Sequence, residues 1–342
     1  MGNSKRKSLA FYSGKKILIT GGTGSLGSAL TKRLLKTDVE KIRLYSRDEL
    51  KQVEMKSNLN DNRLRFLIGD VRDKERLSRA LEDIDIVIHT AALKHVPVVE
   101  YNPFEAVKTN VIGTQNLIDG CFENNVKFAL AVGTDKAVSP LNTYGATKLL
   151  MERLFVSANY YKGTQKINFS CVRYGNVLGS RGSILPTFVN KIQKNEKIMI
   201  TDPNMTRFNI TMNQALDLIF RALENGNGGD VYVPKLKSYK VGDITEVILE
   251  LLDSKQEIET MGIRPGEKFH EELISKNEVR NVYDTKDDYV LFDNQTQNYD
   301  IINDPNMKKT HLEKEYSSDN VELISKQELN QILIDEKLIP LL

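Results

Sequence analysis

The stretch ILITGGTGSLGSAL, residues 17–30, decides the fold that we expect for this chain. It joins an apolar run, typical of a buried strand, to a segment whose apolar residues have helical spacing. Gly21, Gly24 and Gly27 lie between the two, where glycines allow a tight turn and a close approach of the backbone to a pyrophosphate. The spacing G-x-x-G-x-x-G is a weak signal alone, but a strand before it and a helix after it predict a dinucleotide-binding loop.

The alternation of strand-like and helix-like segments continues through the first half of the chain. The strand-like runs are KKILIT (15–20), KIRLYSR (41–47), RLRFLIGD (63–70), IDIVIHTAA (84–92), VKFALAVGT (126–134) and INFSCVRYG (167–175). Strands that are each separated by one helix form right-handed βαβ units and a parallel sheet. We therefore predict an α/β fold with a Rossmann-like, doubly wound parallel sheet over residues 15–175.

The rhythm changes after residue 175, and three further segments can be assigned. Residues 176–284 contain a glycine-serine loop, short strands and a helix over about 212–225, which predict a smaller substrate-binding lobe that is partly interleaved with the first domain. Residues 1–14 form an N-terminal arm. From residue 285 the chain turns polar, and we expect 285–342 to be an extended tail that is ordered against a neighbouring subunit of a homo-oligomer.

Composition excludes several classes of protein. The 342 residues carry 48 Lys+Arg against 46 Asp+Glu, a net charge of +2, which argues against a nucleic-acid partner. Cys121 and Cys171 lie in hydrophobic contexts and are predicted to be buried free thiols. The four histidines and two cysteines make no metal-binding pattern. No apolar run approaches about 18 residues and the N-terminus has no apolar signal core, so we expect no membrane segment and a cytoplasmic protein.

The end of the second predicted strand bears on the choice of cofactor. Ser46, Arg47 and Asp48 stand there, followed by Lys51. An acid at this place binds the ribose 2′-hydroxyl of NAD, whereas an arginine accommodates the 2′-phosphate of NADP. Arg47 with Ser46 and Lys51 offers charge and donors suited to a phosphate, so we predict NADP, and Asp48 leaves NAD as the alternative.

The ends of the third and fourth strands add further contacts, because ligands of open α/β sheets bind at the carboxyl ends of the strands. Asp70 and Val71 end the third strand, where a carboxylate can receive the adenine amino group. After the fourth strand, small Ala91 and Ala92 allow a flat ring to pass close to the backbone, and Lys94 can reach a phosphate or a ribose.

Tyr144 and Lys148 share one face of a predicted helix just after the fifth strand. The motif Tyr-x-x-x-Lys is common by chance, and Tyr12 with Lys16 repeats it where no cofactor can be reached. A tyrosine that acts as a base at neutral pH needs its pKa lowered by about three units, roughly 4 kcal/mol. We expect the Lys148 ammonium and a positive nicotinamide to supply much of this.

Around the predicted dinucleotide we therefore expect a set of residues drawn from the glycine loop, the strand ends and the Tyr-Lys helix. They are Gly21, Thr23, Gly24, Ser25, Leu26, Gly27, Ser46, Arg47, Asp48, Glu49, Leu50, Lys51, Asp70, Val71, Thr90, Ala91, Lys94, Tyr144 and Lys148.

Several words of this sequence resemble a known family. GGTGSLG, YGATK and RYGNVLGSRGS resemble the extended short-chain dehydrogenase/reductases, which act largely on nucleotide sugars. The words SRDELKQ, FLIGDVRD, AALKHVPVVEYNPFEAVKTNVIG, TDKA, MTRF and RPGEK resemble the UDP-N-acetylglucosamine 4,6-dehydratases of the inverting type that begins pseudaminic acid synthesis. The resemblance covers about residues 13–285 and is more specific than any single motif, because the words occur in order.

The resemblance implies a reaction on UDP-GlcNAc in which C4 is oxidised, water is lost across C5 and C6, and hydride returns to C6. The product is a C5-inverted UDP-2-acetamido-2,6-dideoxy-4-keto-hexose of L-arabino configuration. Tyr144 and Lys148 would be the redox pair, Lys136 the base at C5, and Asp135 the acid for the leaving hydroxyl, while Thr134 would hydrogen-bond the substrate.

Substrate contacts are also implied by the resemblance. They are Lys94, Asn176, Val177, Arg181, Gly182, Ser183, Thr201, Arg207, Arg264 and Glu267. A diphosphate favours forked arginines and backbone donors near a glycine turn, which Arg181 and Arg264 fit.

Two alternatives and one question stay open. A nucleotide-sugar 4-epimerase needs no base at C5, so Asp135 and Lys136 count against it. A non-catalytic NADP-binding sensor has no need of Tyr144 and Lys148 together. Lys136 can act as a base only when neutral: burial beside Lys148 would lower its pKa, Asp135 would raise it, and the sequence does not decide between them.

Overall fold

The predicted strand-like runs assemble into one parallel sheet. The computed structural model describes residues 10–292 and 307–339. The first six strands are β1 (Lys16–Thr20), β2 (Lys41–Ser46), β3 (Leu64–Ile68), β4 (Ile86–His89), β5 (Phe128–Val132) and β6 (Asn168–Val172). They lie in the spatial order β3-β2-β1-β4-β5-β6, and each neighbouring pair is parallel. The order reverses between β1 and β4, which is where such sheets bind ligands.

Helices cover both faces of this sheet. Those of the first half are α1 (Ser25–Leu34), α2 (Glu49–Leu59), α3 (Lys74–Leu81), α4 (Val96–Tyr101), α5 (Pro103–Ala106), α6 (Gly113–Glu123) and α7 (Thr143–Tyr161). Alternate residues of β1 enter two different cores: Ile17 and Ile19 pack with α1 and α2, and Leu18 packs with α3, α6 and α7. The doubly wound α/β prediction is confirmed.

The sequence led us to expect that the sheet ends at residue 175, but the sheet continues beyond it. It continues through β9 (Asp230–Pro234), β14 (Asp288–Phe292), β13 (Val282–Asp284) and β15 (Lys308–Thr310), in that spatial order. Strand β9 is parallel to β6, and the last three strands run antiparallel to their neighbours. Helix α9 (Met212–Asn225), which matches the predicted bounds, packs in the same core as α1. The two predicted domains are therefore interleaved far beyond residue 175.

The remaining elements form the smaller lobe. They are α8 (Ile184–Gln193), β7 (Ile198–Ile200), β8 (Thr206–Phe208), β10 (Ser238–Lys240), α10 (Val241–Leu251), β11 (Ile258–Thr260), β12 (Glu272–Ile274), β16 (Tyr316–Ser317) and α11 (Lys326–Asp335). Paired strands β7 and β11, and β8 and β10, are short. The apolar residues of β7, β10 and β11 share one core with α8, α10 and α11.

The expectation of an extended polar tail is wrong for the described part of residues 285–342. Strand β16 pairs with β12, and the buried residues Leu329 and Leu333 of α11 pack in the core of the lobe. The apolar residues of α11 have the spacing of an amphipathic helix, which the polar sequence before it conceals. Residues 293–306 and 340–342 of the expected tail, and 1–9 of the expected arm, lie outside the described residues.

A buried arginine links the sheet to the lobe. Arg173, which follows β6, is 1% exposed, and its guanidinium is paired with Glu152 of α7 and with Glu278. It also donates a hydrogen bond of 2.9 Å to the backbone oxygen of Leu273 in β12. Both cysteines are buried free thiols, as predicted.

We expect Leu333→Ala to lower the free energy of unfolding by about 2–5 kcal/mol, because it leaves a cavity in the core of the lobe. The control is Ile334→Ala at the adjacent, 38% exposed position, which should change stability by about 0.5 kcal/mol or less. Urea titrations of both variants measure the difference. Equal effects would contradict the packing of α11 on its own chain.

Candidate active site

A cavity of about 660 Å³ lies along the carboxyl ends of the parallel strands. Most residues predicted from the sequence line it. They are Gly21, Thr23, Gly24, Ser25, Leu26, Gly27, Ser46, Arg47, Asp48, Lys51, Asp70, Val71, Thr90, Ala91, Lys94, Thr134, Tyr144, Lys148, Asn176, Val177 and Arg181. Further lining residues, which were not predicted from the sequence, include His95, Tyr174, Gly175, Ser180 and Met212.

The glycine loop forms the floor of one half of the cavity. Gly21 has φ +68°, and a Cβ there would lie 3.0 Å from the Cα of Ala91 and 2.9 Å from Oγ1 of Thr90, so only glycine fits. Helix α1 begins directly after the loop and has no side-chain cap, which leaves its first N–H groups and its positive end for an anion. This floor fits the pyrophosphate of a dinucleotide.

At the end of β2, the charged side chains form pairs. The Asp48 carboxylate accepts a hydrogen bond of 3.0 Å from the backbone N–H of Lys51 and is also ion-paired with the Lys51 ammonium. These hydrogen bonds lower the pKa of Asp48. The Arg47 side chain is 54% exposed and lies 3.4 Å from Asp70. Asp48 is thus engaged as a helix cap, while the Arg47 guanidinium faces the cavity.

Glu49 and Leu50 are not brought into this site. Neither lines the cavity, and Leu50 is 67% exposed, because both lie on the first turn of α2. The run SRDELK becomes helical after Asp48, so only some of its residues line the cavity.

Asp70 and Lys94 mark two further walls. Burial acts to raise the pKa of Asp70, but hydrogen bonds from Arg72 outweigh it, and the pKa is lowered. Lys94 donates a hydrogen bond of 3.0 Å to the backbone oxygen of Arg181. Its pKa is lowered, first by burial and then by the charges of Arg181 and Lys136.

Tyr144 and Lys148 stand at the start of α7, as the sequence predicted. Between them, Gly145 is required for the packing, because a Cβ there would lie 2.1 Å from the backbone oxygen of Lys136. Lys148 donates a hydrogen bond of 2.6 Å to the backbone oxygen of Val132, and burial lowers its pKa to about 8. Helix α7 is therefore pressed directly against the turn that carries Asp135 and Lys136.

The charge beside Tyr144 differs from the expected one. Burial raises the pKa of Tyr144, opposed by the charge of Lys136 and by a hydrogen bond with Thr134. The expectation gave the opposing charge to Lys148 and a bound nicotinamide, whereas the ammonium that partly opposes the rise in this structure is that of Lys136.

Asp135 and Lys136 form a 3₁₀ turn (Asp135–Ala137) behind the cavity wall. Lys136 Nζ lies 3.1 Å from Asp135 Oδ1, 3.3 Å from Glu271 Oε1 and 3.4 Å from Asn176 Oδ1. Burial acts to lower the pKa of Lys136, but the charges of Asp135 and Glu271 outweigh it and raise the pKa. Of the two opposing effects that the sequence left undecided, the nearby carboxylates thus outweigh burial and favour the charged form of Lys136 at rest.

Glu271 is the functional candidate that sequence reasoning missed. It is 2% exposed and stands just before β12, far from Lys136 along the chain. A glutamate that precedes an apolar strand, in the run HEELIS, is a weak signal, because its partner comes from a distant segment.

The residues implied as substrate contacts divide into two groups. Arg181 reaches across the cavity and donates hydrogen bonds of 2.7 Å to the backbone oxygen of Thr23 and 3.1 Å to Ser25 Oγ. Gly182 and Ser183 do not line the cavity, and Gly182 packs against the His95 ring instead.

The second group lies apart from the cavity walls. Thr201 donates a hydrogen bond of 3.0 Å to Glu267, and Arg207 is paired with Glu267 at 3.3 Å. Arg264 is exposed. Lys136, Asp135 and Glu271 form what we call the Lys136 cluster. The second group borders this cluster through Arg207, whose Nε lies 3.9 Å from Glu271 Oε1.

The described residues contain neither a metal-binding group nor a membrane-spanning helix. Within 10–292 and 307–339, no group of three or more His, Cys, Asp or Glu is arranged to hold a metal ion. In the same part of the chain, every helix is too short or too polar to cross a membrane.

The comparisons with known proteins agree with this architecture. Residues 17–292 match the family described as polysaccharide biosynthesis protein. The chain is 49% identical to the UDP-N-acetylglucosamine 4,6-dehydratase (inverting) of Campylobacter jejuni subsp. jejuni serotype O:23/36 (strain 81-176), over 82% of this chain and 83% of that enzyme. It is 38% identical to the UDP-glucose 4-epimerase of Rickettsia rickettsii (strain Sheila Smith), over 94% of this chain and 95% of that protein.

Among solved structures, Pen from Bacillus thuringiensis aligns with a TM-score of 0.89 and 39% identity, over 96% of this chain and all of that chain. The two chains thus share one fold over nearly their whole length. The chain belongs to the polysaccharide biosynthesis protein family, within the extended short-chain dehydrogenase/reductases.

Proposed function

We propose that this protein is an NADP-dependent UDP-N-acetylglucosamine 4,6-dehydratase that inverts C5. The observation that carries the proposal is that the residues proposed for the redox step lie next to those proposed for the elimination of water. Tyr144 and Lys148 line the cavity at the end of β5, and Asp135 with Lys136 sits directly beneath the same helix. The 49% identity to the Campylobacter enzyme supports the same reaction.

The chain's own residues divide the proton chemistry. Tyr144 takes the proton of the C4 hydroxyl, and Thr134, which contacts Tyr144, holds that oxygen in place. When bound, the nicotinamide would supply a hydride acceptor for C4 and a hydride donor for C6. The C4 ketone acidifies the C5 hydrogen, which Lys136 removes as a proton. Asp135, in its protonated form, delivers its proton to the C6 hydroxyl as it leaves, and the buried site limits competing reactions with water.

Lys148 serves the redox step from its place on α7. A pKa of about 8 leaves it largely protonated at neutral pH. Its ammonium would contact the ribose of the nicotinamide half and favour the phenolate of Tyr144 once the cavity is filled. The same buried position that lowers its pKa makes its field strong.

The proposal of NADP is supported by the end of β2. Asp48 is occupied by the Lys51 N–H and ammonium, so its carboxylate is poorly placed to accept a ribose 2′-hydroxyl. Arg47 is half exposed and Ser46 lines the cavity, which gives a phosphate both charge and a hydroxyl donor.

A 4-epimerase is the second candidate, because the Rickettsia protein of that name covers 94% of this chain. An epimerase requires the oxidation and reduction of C4 and needs no acid or base at C5 and C6. The buried Asp135–Lys136 pair favours the dehydratase, since a charged pair is costly to bury without a use. A non-catalytic NADP sensor would leave all four residues without a task.

The decisive test incubates the purified protein with UDP-GlcNAc in D₂O and follows the sugar by NMR. We expect loss of water, a C6 methyl group, and deuterium at an inverted C5. Recovery of a C4 epimer with hydrogen retained at C5 would show an epimerase. An unchanged sugar would contradict both enzymatic functions.

Two substitutions separate the redox pair from the elimination pair. Lys136→Met should still release the C4 hydride, so that reduced-cofactor absorbance accumulates while C5 exchange falls by about 10² to 10⁴. Tyr144→Phe should abolish both signals, because it blocks the first step. Full C5 exchange in Lys136→Met would mean that another group is the base.

Arg47→Asp should weaken NADP binding about 10- to 100-fold and change NAD binding much less, since a hydrogen bond to a charged group contributes about 1.5–3 kcal/mol. Arg65→Asp, at an exposed arginine of β3 that does not line the cavity, is the matched control. Calorimetric titration with both nucleotides measures the four affinities. Equal losses for NADP and NAD would show that Arg47 does not bind the 2′-phosphate.

A further inference from the structure

Glu271 is fixed in place by the C-terminal part of the chain. Its backbone N–H donates a hydrogen bond of 2.9 Å to Ser318 Oγ, and its backbone oxygen accepts one of 2.8 Å from the Ser318 N–H. Ser318 is fully buried and also contacts Thr206 Oγ1 at 2.6 Å. The Glu271 backbone is therefore anchored on both sides, so its side chain enters the site from a rigid support.

The Glu271 carboxylate has one engaged and one unpaired oxygen. Oε1 lies 3.3 Å from Lys136 Nζ, and the carboxylate lies 3.9 Å from Arg207 Nε. Oε2 is buried and has no hydrogen-bond partner among the residues that the structure describes. A buried carboxylate oxygen without a donor is costly as an anion, whereas in the acid form one of the oxygens carries a proton.

The surrounding charges are few and are all supplied by neighbouring segments. Asp135 and Lys136 face Glu271 from the turn after β5, and Arg207 faces it from β8. Arg207 is itself paired with Glu267, and buried Tyr239 of β10 adjoins the same cluster. The carboxylates of Asp135 and Glu271 thus both contact the Lys136 ammonium. Arg207, which is paired with Glu267, lies next to Glu271.

The proposed reaction gives these two carboxylates different tasks. Lys136 must lose a proton before it can take one from C5, and only 19% of its side chain is exposed. Asp135 is assigned the proton that goes to the leaving hydroxyl, so the proton of Lys136 needs a different acceptor. Glu271 is the other carboxylate within reach, and transfer to it converts a buried ion pair into two neutral groups, which avoids the cost of buried charge.

We propose that Glu271 is the proton acceptor that makes Lys136 a base, an inference that rests on the dehydratase function proposed above. One N–H bond of the Lys136 ammonium breaks and leaves its electron pair on nitrogen, while an O–H bond forms on Glu271. Neutral Lys136 then takes the C5 proton, and the electrons of the C5–H bond enter the enolate of the C4 ketone. Glu271 acts through Lys136 and is thus a positioning residue.

This role predicts a specific dependence on pH. A proton that moves within the Lys136–Glu271 pair leaves the fraction of neutral Lys136 independent of pH. In Glu271→Gln the proton must leave for solvent, so that this fraction falls about tenfold for each unit that the pH drops below the pKa of Lys136. The ratio of variant to wild-type rates removes the titration of Tyr144 and Lys148, which both proteins share.

The test measures product formation from saturating UDP-GlcNAc at pH 6, 7 and 8 for wild type, Glu271→Gln and Glu271→Asp. We expect the Gln-to-wild-type ratio to fall about tenfold per pH unit from 8 to 6, and the Asp-to-wild-type ratio to stay constant at a reduced level. Glu272→Gln removes the adjacent carboxylate, which bonds Ser139, and should give a constant ratio. The single-turnover rate of C4 oxidation should not change in any variant.

A constant ratio for Glu271→Gln overturns the inference and leaves the dehydratase function standing. The same slope in Glu271→Asp also overturns it, because the carboxylate would then have no effect. Wild-type protein that forms no 4-keto product overturns the proposed function and this role with it.

Discussion

The buried Arg173 guanidinium is the constraint on which the geometry of the site depends. It ties the end of β6 to Glu152 in the middle of α7, and to Leu273 and Glu278 in the segment that carries Glu271. Removing one partner of a buried ion pair commonly costs about 3–5 kcal/mol, because an unpaired charge remains inside. The hydrogen bonds thus hold the Tyr144 helix and the Glu271 segment in one relation to the sheet, as the proposed chemistry requires.

Electrostatics in the site follow from that arrangement. The turn after β5 places Lys136 between Asp135 and Glu271, and the two negative charges keep its proton bound despite burial. Tyr144 is buried beside the same ammonium and keeps its proton at rest as well. Both proposed bases are therefore protonated at rest, and each must lose a proton before it can act as a base. The resting site is consistent with a mechanism in which filling the cavity changes these balances.

The C-terminal segment has a part in the active site that its composition conceals. Ser318 holds the Glu271 backbone, β16 pairs with β12, and α11 fills the core of the lobe. The described part of a segment that was expected to order on a neighbouring subunit packs on its own chain, and its Ser318 contacts Glu271, the neighbour of Lys136. Interleaving of the two halves places residues from beyond β6, such as Arg181, directly over the glycine loop.

The sequence alone determined the sheet of the first six strands, the glycine loop, helix α9 and the Tyr144–Lys148 face, because each depends on periodicity or spacing over a short stretch. It also marked Asp135 and Lys136 as unusual. Tertiary structure alone decided that Asp48 caps a helix, that Leu50 faces solvent, and that Glu271 meets Lys136. These outcomes depend on which distant segments pack together, and burial between them sets the charges. The local sequence pattern does not contain that information. A glutamate before an apolar strand gives the same pattern whether its carboxylate contacts water or a buried lysine.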